Sequence, residues 1–269
     1  MSPAPASARC AVVTGGSAGI GAATVRLLAA GGWRVVTGAR RSERLRALAE
    51  EASTAGASGA VHVETLDVTD AESVERFAAR ALEHLGGAVH LLVNNAGGAL
   101  GAESIERAIE RKWREMYELN VLSTLRMTRA LLGALERSGD GHVINVGSIA
   151  GFETYPGGAG YTAAKHGLRA LTRTLRLELL GRPVRVTEIA PGMVETEFSL
   201  VRFDGDRDRA DGVYRGMQPL TGEDIAECIA WAASRPSHVN IDEILVRPRD
   251  QATATLVHRT AEGPDPKGG

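Results

Sequence analysis

The sequence has almost no lysine: Lys112, Lys165 and Lys267 stand against 28 arginines. Cysteine is nearly absent too, and Cys10 and Cys228 lie far apart with no metal-type spacing. Two lone thiols make no disulfide framework, and they suit a chain that works in a reducing cytoplasm. The seven histidines are scattered, with no HExxH and no Cys/His cluster, so no metal site is expected. Aromatic residues are 4% of the chain, which leaves Ala, Val, Leu and Ile to build the core. Neither sign of charge prevails: the formal net charge of −2 gives no general reason for a nucleic-acid or membrane-surface partner. No uncharged run approaches a membrane span in length, and the opening "MSPAPASAR" lacks the layout of a secretion signal.

What the sequence does have is glycine, 32 of 269 residues with no collagen-like period, and short β-rich runs alternating with helical stretches. The runs are "CAVVT" (10–14), "WRVVTG" (33–38), "VHVETL" (61–66), "VHLLVNN" (89–95), "HVINV" (142–146), "VRVTEI" (184–189) and "EILV" (243–246). Several are apolar almost throughout, as strands buried on both faces of a parallel sheet must be. Ser42 is placed as a helix N-cap, and "TDAE" from Thr69 and "TGED" from Thr221 each fit a capping box. Alternating β and α segments predict an α/β fold: one doubly wound, Rossmann-type domain with a central parallel sheet of about seven strands flanked by helices. The length suits one domain, and neither a repeat nor a linker divides it. The domain is expected over 9–251, after a flexible 1–8 and before a loose tail at 252–269, whose end "AEGPDPKGG" has little to pack.

The first strand runs straight into "TGGSAGIG", with Gly15, Gly16, Gly19 and Gly21. Glycines let a backbone turn sharply and approach a pyrophosphate, whose charge the following helix N-terminus stabilises. The spacing is G-x-x-x-G-x-G rather than G-x-G-x-x-G, but its place between an apolar strand and an amphipathic helix marks a dinucleotide site. An acid that takes a ribose 2′-hydroxyl should fall about 20 residues on. That count lands on Gly38, Ala39, Arg40 and Arg41. An acid would repel the 2′-phosphate of NADP, whereas a guanidinium fork grips it with charge-assisted hydrogen bonds. The two arginines therefore favour NADP over NAD, against the plain alternative of two solvated turn residues.

The segment "NVGSIAGFETYPGGAGYTAAKHG" carries the candidate chemistry. Ser148 follows a strand end, Tyr161 comes thirteen residues later, and Lys165 lies one helical turn beyond. Residues four apart share a helix face. A YxxxK alone says little; here it uses one of three lysines in a chain that otherwise writes arginine. A tyrosine ionises near pH 10, too high for a base at neutral pH, and a nearby ammonium favours the phenolate. Serine can hold the substrate oxygen while tyrosine exchanges its proton. Tyr155 competes, but it precedes Pro156, outside the helix, with no lysine at the right offset.

Taken together, "TGGSAGIG", "LDVTD", "NNAGG", "MYELN", "YTAAK" and "APGMVETEF" resemble the short-chain dehydrogenase/reductase family, in its order and spacing, from about Arg9 to Gln251. The resemblance implies a catalytic tetrad of Asn120, Ser148, Tyr161 and Lys165. In it Tyr161 is the general acid/base, Lys165 also binds the nicotinamide ribose, Ser148 orients the reacting oxygen, and Asn120 supports a proton-relaying water. It also implies that Ser17 and Ile20 join Gly15, Gly19 and Gly21 around the cofactor, and that Asp67 and Val68 flank the adenine. Asn94, Ala96 and Gly97 line the cofactor, Pro191 and Gly192 close on it, and Val194 to Thr196 receive the nicotinamide amide. One departure is Gly147, where the family often has another serine.

Within the family, "EFSLVRFDGD" and "LTGEDIAECIAWAASRPSHVNIDEILVRP" are similar to the branch of NADP-dependent 3-hydroxy acid and serine dehydrogenases, and clavulanate-type dehydrogenases share part of the second pattern. This places a lid at about 198–216. The reading is an NADP-dependent oxidoreductase acting on a small polar hydroxy or carbonyl compound, a 3-hydroxy acid above all. Arg202 either meets the substrate's carboxylate or pairs with Asp204 or Asp206 at the surface. A 3-oxoacyl thioester reductase is the alternative; a non-catalytic NADP-sensing regulator would not need an intact Tyr–Lys pair. Helix patterns at 104–137 and 157–180 need two buried faces each, so a homodimer or homotetramer is expected.

Overall fold

The computed structural model describes residues 8–260. Residues 1–7 and 261–269, the outer parts of the two expected loose ends, lie outside the described residues. Seven strands form one sheet: β1 Cys10–Thr14, β2 Arg34–Ala39, β3 Val61–Thr65, β4 Leu91–Asn94, β5 Gly141–Val146, β6 Val184–Pro191 and β7 Glu243–Val246. Their order is β3-β2-β1-β4-β5-β6-β7, with every neighbouring pair parallel. Parallel strands need crossover connections, and the crossovers carry helices to both faces. α1 (Gly19–Ala30), α2 (Ser42–Thr54) and α9 (Gly222–Ala233) cover the face where Ala11, Val13, Val35, Leu91, Val93, Ile144 and Ile189 point. α3 (Ala71–Leu85), α5 (Ser123–Arg137) and α6 (Ala159–Glu178) cover the other, meeting Val12, Val36, Leu92, Val143 and Val186. Successive strand residues thus serve opposite faces, which is why several of the strands read as nearly continuous apolar runs. Phe77, Met127, Leu131 and Leu135 are fully buried there, each contributing ~1.5–3 kcal/mol.

Two expected helix starts are corrected. Ser42 is the first residue of α2 rather than its cap, and makes no capping bond. Thr69 points away from α3: its hydroxyl donates to Asp67 Oδ1 at 2.7 Å, and Asp70 caps instead, accepting from Glu72 N at 3.1 Å. The Thr221 capping box does form, with Thr221 N donating to Asp224 Oδ2 at 2.7 Å and Asp224 N to Thr221 Oγ1 at 3.3 Å. The 104–137 pattern is divided: α4 (Glu110–Tyr117) passes through a π-helical turn at Glu118–Leu122 into α5. Such a turn often marks a functional residue, and here it holds Asn120.

The expected lid contains two short helices, α7 (Phe198–Arg202) and α8 (Arg207–Gly212). Residues 252–260, expected to be loose, instead strap this lid. Arg259 donates to the carbonyls of Val213 and Arg215, and the peptides of Gly216 and Thr260 pair at 2.7 Å. Ala254 N donates to Glu153 Oε2 at 2.6 Å. This segment is held by the Arg259 side chain and by its backbone N–H groups. The strand order reverses between β1 and β4, which opens a crevice at their carboxyl ends.

Candidate active site

The crevice is a cleft of about 610 Å³. β1 leads into it through Gly15 and Gly19, whose φ values of 74° and 52° lie in the left-handed region that side chains disfavour. Gly15 N donates to Gly38 O at 2.8 Å, tying the turn to the tip of β2. α1 then begins with neither a side-chain cap nor an acid in its first turn, so its leading N–H groups stay available to an anion. Ser17 and Ile20 line the cleft with Gly15 and Gly19. Gly21 does not: a Cβ there would stand 2.4 Å from Gly15 O, so it serves close packing of helix on turn.

Arg40 and Arg41 both reach the cleft, in different states. Arg41 is engaged, with Nε and Nη2 3.3 and 3.2 Å from Ser17 Oγ and Nη1 2.7 Å from Glu197 Oε2. Arg44 holds the other oxygen of Glu197 at 2.6 Å. Arg40 has no hydrogen-bond or ion-pair partner among the described residues. Its charge joins the larger effect of the Thr69 hydroxyl in holding the Asp67 carboxyl below its usual range. Asp67 and Val68 form the neighbouring wall, and Ala96 and Gly97 lie across from them. Asn94 does not reach the cleft. Its Nδ2 is turned inside, donating to Asn145 Oδ1 at 2.9 Å and to Thr128 Oγ1 at 3.2 Å. The next residue, Asn95, lines the cleft in its place, bracing Thr14 O at 2.9 Å. Pro191, Gly192, Val194 and Thr196 close the far side, and the Thr196 methyl comes within 3.0 Å of where a Cβ on Gly19 would be.

Ser148, Tyr161 and Lys165 meet in the cleft. Ser148 follows β5; its Oγ accepts from Ala150 N at 3.1 Å and lies 3.5 Å from Pro191 O. Tyr161 and Lys165 lie one turn apart on α6, as their spacing predicts, with Nζ 5.7 Å from the ring centre. Lys165 Nζ donates to Val146 O at 3.0 Å. The phenol ionises above its ordinary range, first because it is buried and then because Tyr155 is near; the Ser148 hydroxyl and the Arg202 guanidinium pull the other way. The lowering expected from Lys165 is not found; it is Ser148 and Arg202 that oppose burial. Burial also draws Lys165 down to about 8, against the opposing charge of Glu188. Asn120 stands behind the cleft wall, with Nδ2 donating to Gly98 O at 2.8 Å and to Met116 O at 2.7 Å and Oδ1 accepting from Gly98 N at 3.2 Å. Gly97 separates it from Lys165: a Cβ there would stand 2.8 Å from Asn120 Oδ1 and 3.5 Å from Lys165 Nζ.

Arg202 comes from α7 and turns into the cleft. It pairs with neither Asp204 nor Asp206. Its nitrogens meet Gly101 O at 3.1 Å, the Tyr155 hydroxyl at 3.1 Å and Gly157 O at 3.4 Å, all neutral acceptors. Tyr155, set aside from the sequence as a failed acid/base, holds this guanidinium. Gln251 was also missed: its Oε1 accepts from Met193 N at 2.8 Å at the cleft edge. Neither contact has a local pattern, because each joins residues far apart in the chain. Among the described residues no cluster of His, Cys, Asp and Glu could hold a metal ion.

A family model described as short chain dehydrogenase matches residues 9–205. An uncharacterized oxidoreductase of Mycobacterium tuberculosis is 59% identical over 247 residues, covering 92% of this chain and 94% of its own. The sulfoacetaldehyde reductase of Chromohalobacter salexigens is 43% identical over 244 residues, covering 90% of this chain and 95% of its own. The solved closed form of a serine dehydrogenase complexed with NADP+ matches with a TM-score of 0.86 at 38% identity, covering 93% of this chain and 100% of that one. With the parallel sheet, the glycine turn and the Ser148–Tyr161–Lys165 cluster already in place, these likenesses put the chain in the short chain dehydrogenase family of oxidoreductases.

Proposed function

We propose that this oxidoreductase transfers a hydride between NADP and a small anionic hydroxy or carbonyl compound, with a 3-hydroxy acid and its 3-oxo partner as the substrate pair. The observation that carries the substrate class is Arg202, a guanidinium facing the cleft whose hydrogen-bond partners are neutral. Its charge is left for a ligand, and a carboxylate or sulfonate fits its fork. Sulfoacetaldehyde and serine, named for two of the similar proteins, each carry an anion two bonds from the oxygen-bearing carbon. Arg202 is the charged group among the lid residues that line the cleft, beside Phe198, Val201, Phe203 and Val213.

The cleft suits NADP: the positive-φ glycines and the uncapped start of α1 take the pyrophosphate, and Arg40 takes the 2′-phosphate. When bound, NADP supplies or accepts the hydride. Tyr161 gives its phenolic proton to the substrate oxygen in reduction and takes it back in oxidation. Ser148 holds that oxygen beside the phenol, and Lys165 holds the ribose and favours the phenolate. Asn120, fixed by Gly98 and Met116, supports the water that returns the proton. Arg202 and Tyr155 hold the anion and so orient the reacting carbon. Arg202→Ala tests the reading. The variant should raise KM for a 3-hydroxy acid roughly tenfold or more, as loss of a charged hydrogen bond does, and change KM for a neutral secondary alcohol far less. Equal effects on both would remove Arg202 from the substrate site.

A further inference from the structure

Glu188, in the middle of β6, is fully buried, and neither carboxylate oxygen has a hydrogen-bond partner among the described residues. A charge left this way is costly unless an opposite charge compensates it. Strand alternation sends its side chain to the α6 side, the face that Val184 and Val186 share. On β5 its register partner is Asn145, a neutral side chain already bonded to Asn94 and Thr172. Two residues on is Gly147, where a Cβ would stand 2.3 Å from Glu188 Oε1. Gly147 is the space Glu188 occupies, which accounts for the departure from the family's serine at this position. The carbonyl just before it, Val146 O, accepts from Lys165 Nζ at 3.0 Å. Carboxylate and ammonium therefore flank the same Val146–Gly147 peptide.

Other charges face Glu188 too, and Arg169 favours its ionised form more than Lys165 does. From α6 come Lys165, Arg169 and Arg173, and from β7 comes Glu243. Arg169 and Arg173 are each 3.1 Å from Glu243 and so are largely committed to it. Lys165 remains as the cation with no carboxylate of its own. We infer that Glu188 is a positioning residue that keeps Lys165 protonated at working pH and, through it, eases ionisation of Tyr161, touching neither substrate nor cofactor. This rests on the catalytic roles given above to Tyr161 and Lys165. Burial lifts Glu188 to about 7 and draws Lys165 down to about 8, and each charge favours the ionised form of the other.

The scarcity of lysine makes the test direct. Protein carrying lysine labelled with 13C at Cε gives three signals, and Lys112→Arg and Lys267→Arg assign two of them. In the wild-type protein the Lys165 signal should show a second inflection near pH 7, as Glu188 loses its proton. Glu188→Gln should remove that inflection and lower the Lys165 midpoint by about one unit, and Glu188→Asp should restore most of it. The limb of the kcat profile that reports Tyr161 should move alkaline in Glu188→Gln by a similar amount, with substrate KM nearly unchanged. A Lys165 midpoint in Glu188→Gln within about 0.3 unit of wild type overturns the inference. Should that variant not fold, a wild-type Lys165 signal with no inflection near pH 7 overturns it equally. Tyr161→Phe measured for turnover separates the two levels: an active variant sinks the catalytic reading and leaves the lysine titration standing.

Discussion

Arg40 and Arg41 are adjacent in sequence and differ in what holds them. Arg41 spans from Ser17 to Glu197, whereas Arg40 faces the cleft with no partner among the described residues. Replacing both by neutral residues should raise KM for NADPH at least about tenfold and leave NADH use nearly unchanged, because only the 2′-phosphate loses its charged hydrogen bonds. Arg40→Ala alone should give most of that effect. A wild-type enzyme that prefers NADH would contradict the assignment. At this scale the sequence reveals residues whose chemistry has a local signature. The Tyr161–Lys165 offset fits one helix face, and the missing acid after β2 points to Arg40. It does not reveal Asn95 over Asn94, since the choice depends on which way a strand end turns. Nor does it reveal Tyr155 on Arg202, or Glu188 and Lys165 flanking one peptide. Those placements join β6 and the lid to distant elements, and no local pattern encodes them.

Among the elements, β5 and β6 show what buried polar groups require. His142 on β5 is buried, with Nε2 2.7 Å from Thr187 Oγ1 on β6. Burial, then Arg185 and Arg9, lower it from the usual 6.5 to about 3. Between those values the unfolded chain binds a proton that the folded chain does not, so stability falls as pH falls. The contribution is whole above about pH 6.5 and is lost towards pH 3. From pH 7 to pH 5 it amounts to about 2 kcal/mol. Urea unfolding of His142→Gln should therefore show a smaller loss over that range than wild type; an identical loss would mean that His142 is not buried neutral. The central strands were legible because a strand buried on both faces is an apolar run, and "CAVVT" coincides with β1; the partly buried edge strand β7 coincides with "EILV". Helix starts were less so: Thr69 and Asp70 offer the same kind of oxygen, and the geometry of Asp67 decides which one caps. The strap at 252–260 was illegible for a related reason, since the Arg259 guanidinium and the Thr260 N–H meet lid carbonyls more than forty residues away in the chain.

At the scale of the whole molecule, the helices on the α4–α6 side keep apolar surface that the described residues do not cover. Leu177 is 77% exposed and Leu180 89%, and a shallow groove beside α4 is lined by Trp113, Tyr117, Leu122 and Ala163. We expect this face to pair with a second copy in a homodimer or homotetramer, and sedimentation showing only monomer at micromolar concentration would contradict that. Among the described residues no helix is long and apolar enough to cross a membrane.

The central claim is that the cleft joins an NADP site to a site for a small anion. It is tested most directly by kcat/KM of the wild-type enzyme for a 3-hydroxy acid and for the matching neutral alcohol, each with NADP and with NAD. The account predicts that the acid with NADP exceeds each other combination by about tenfold or more, the worth of one charged hydrogen bond on either side of the reaction. Equal turnover of acid and neutral alcohol, or no turnover of the acid, would contradict it.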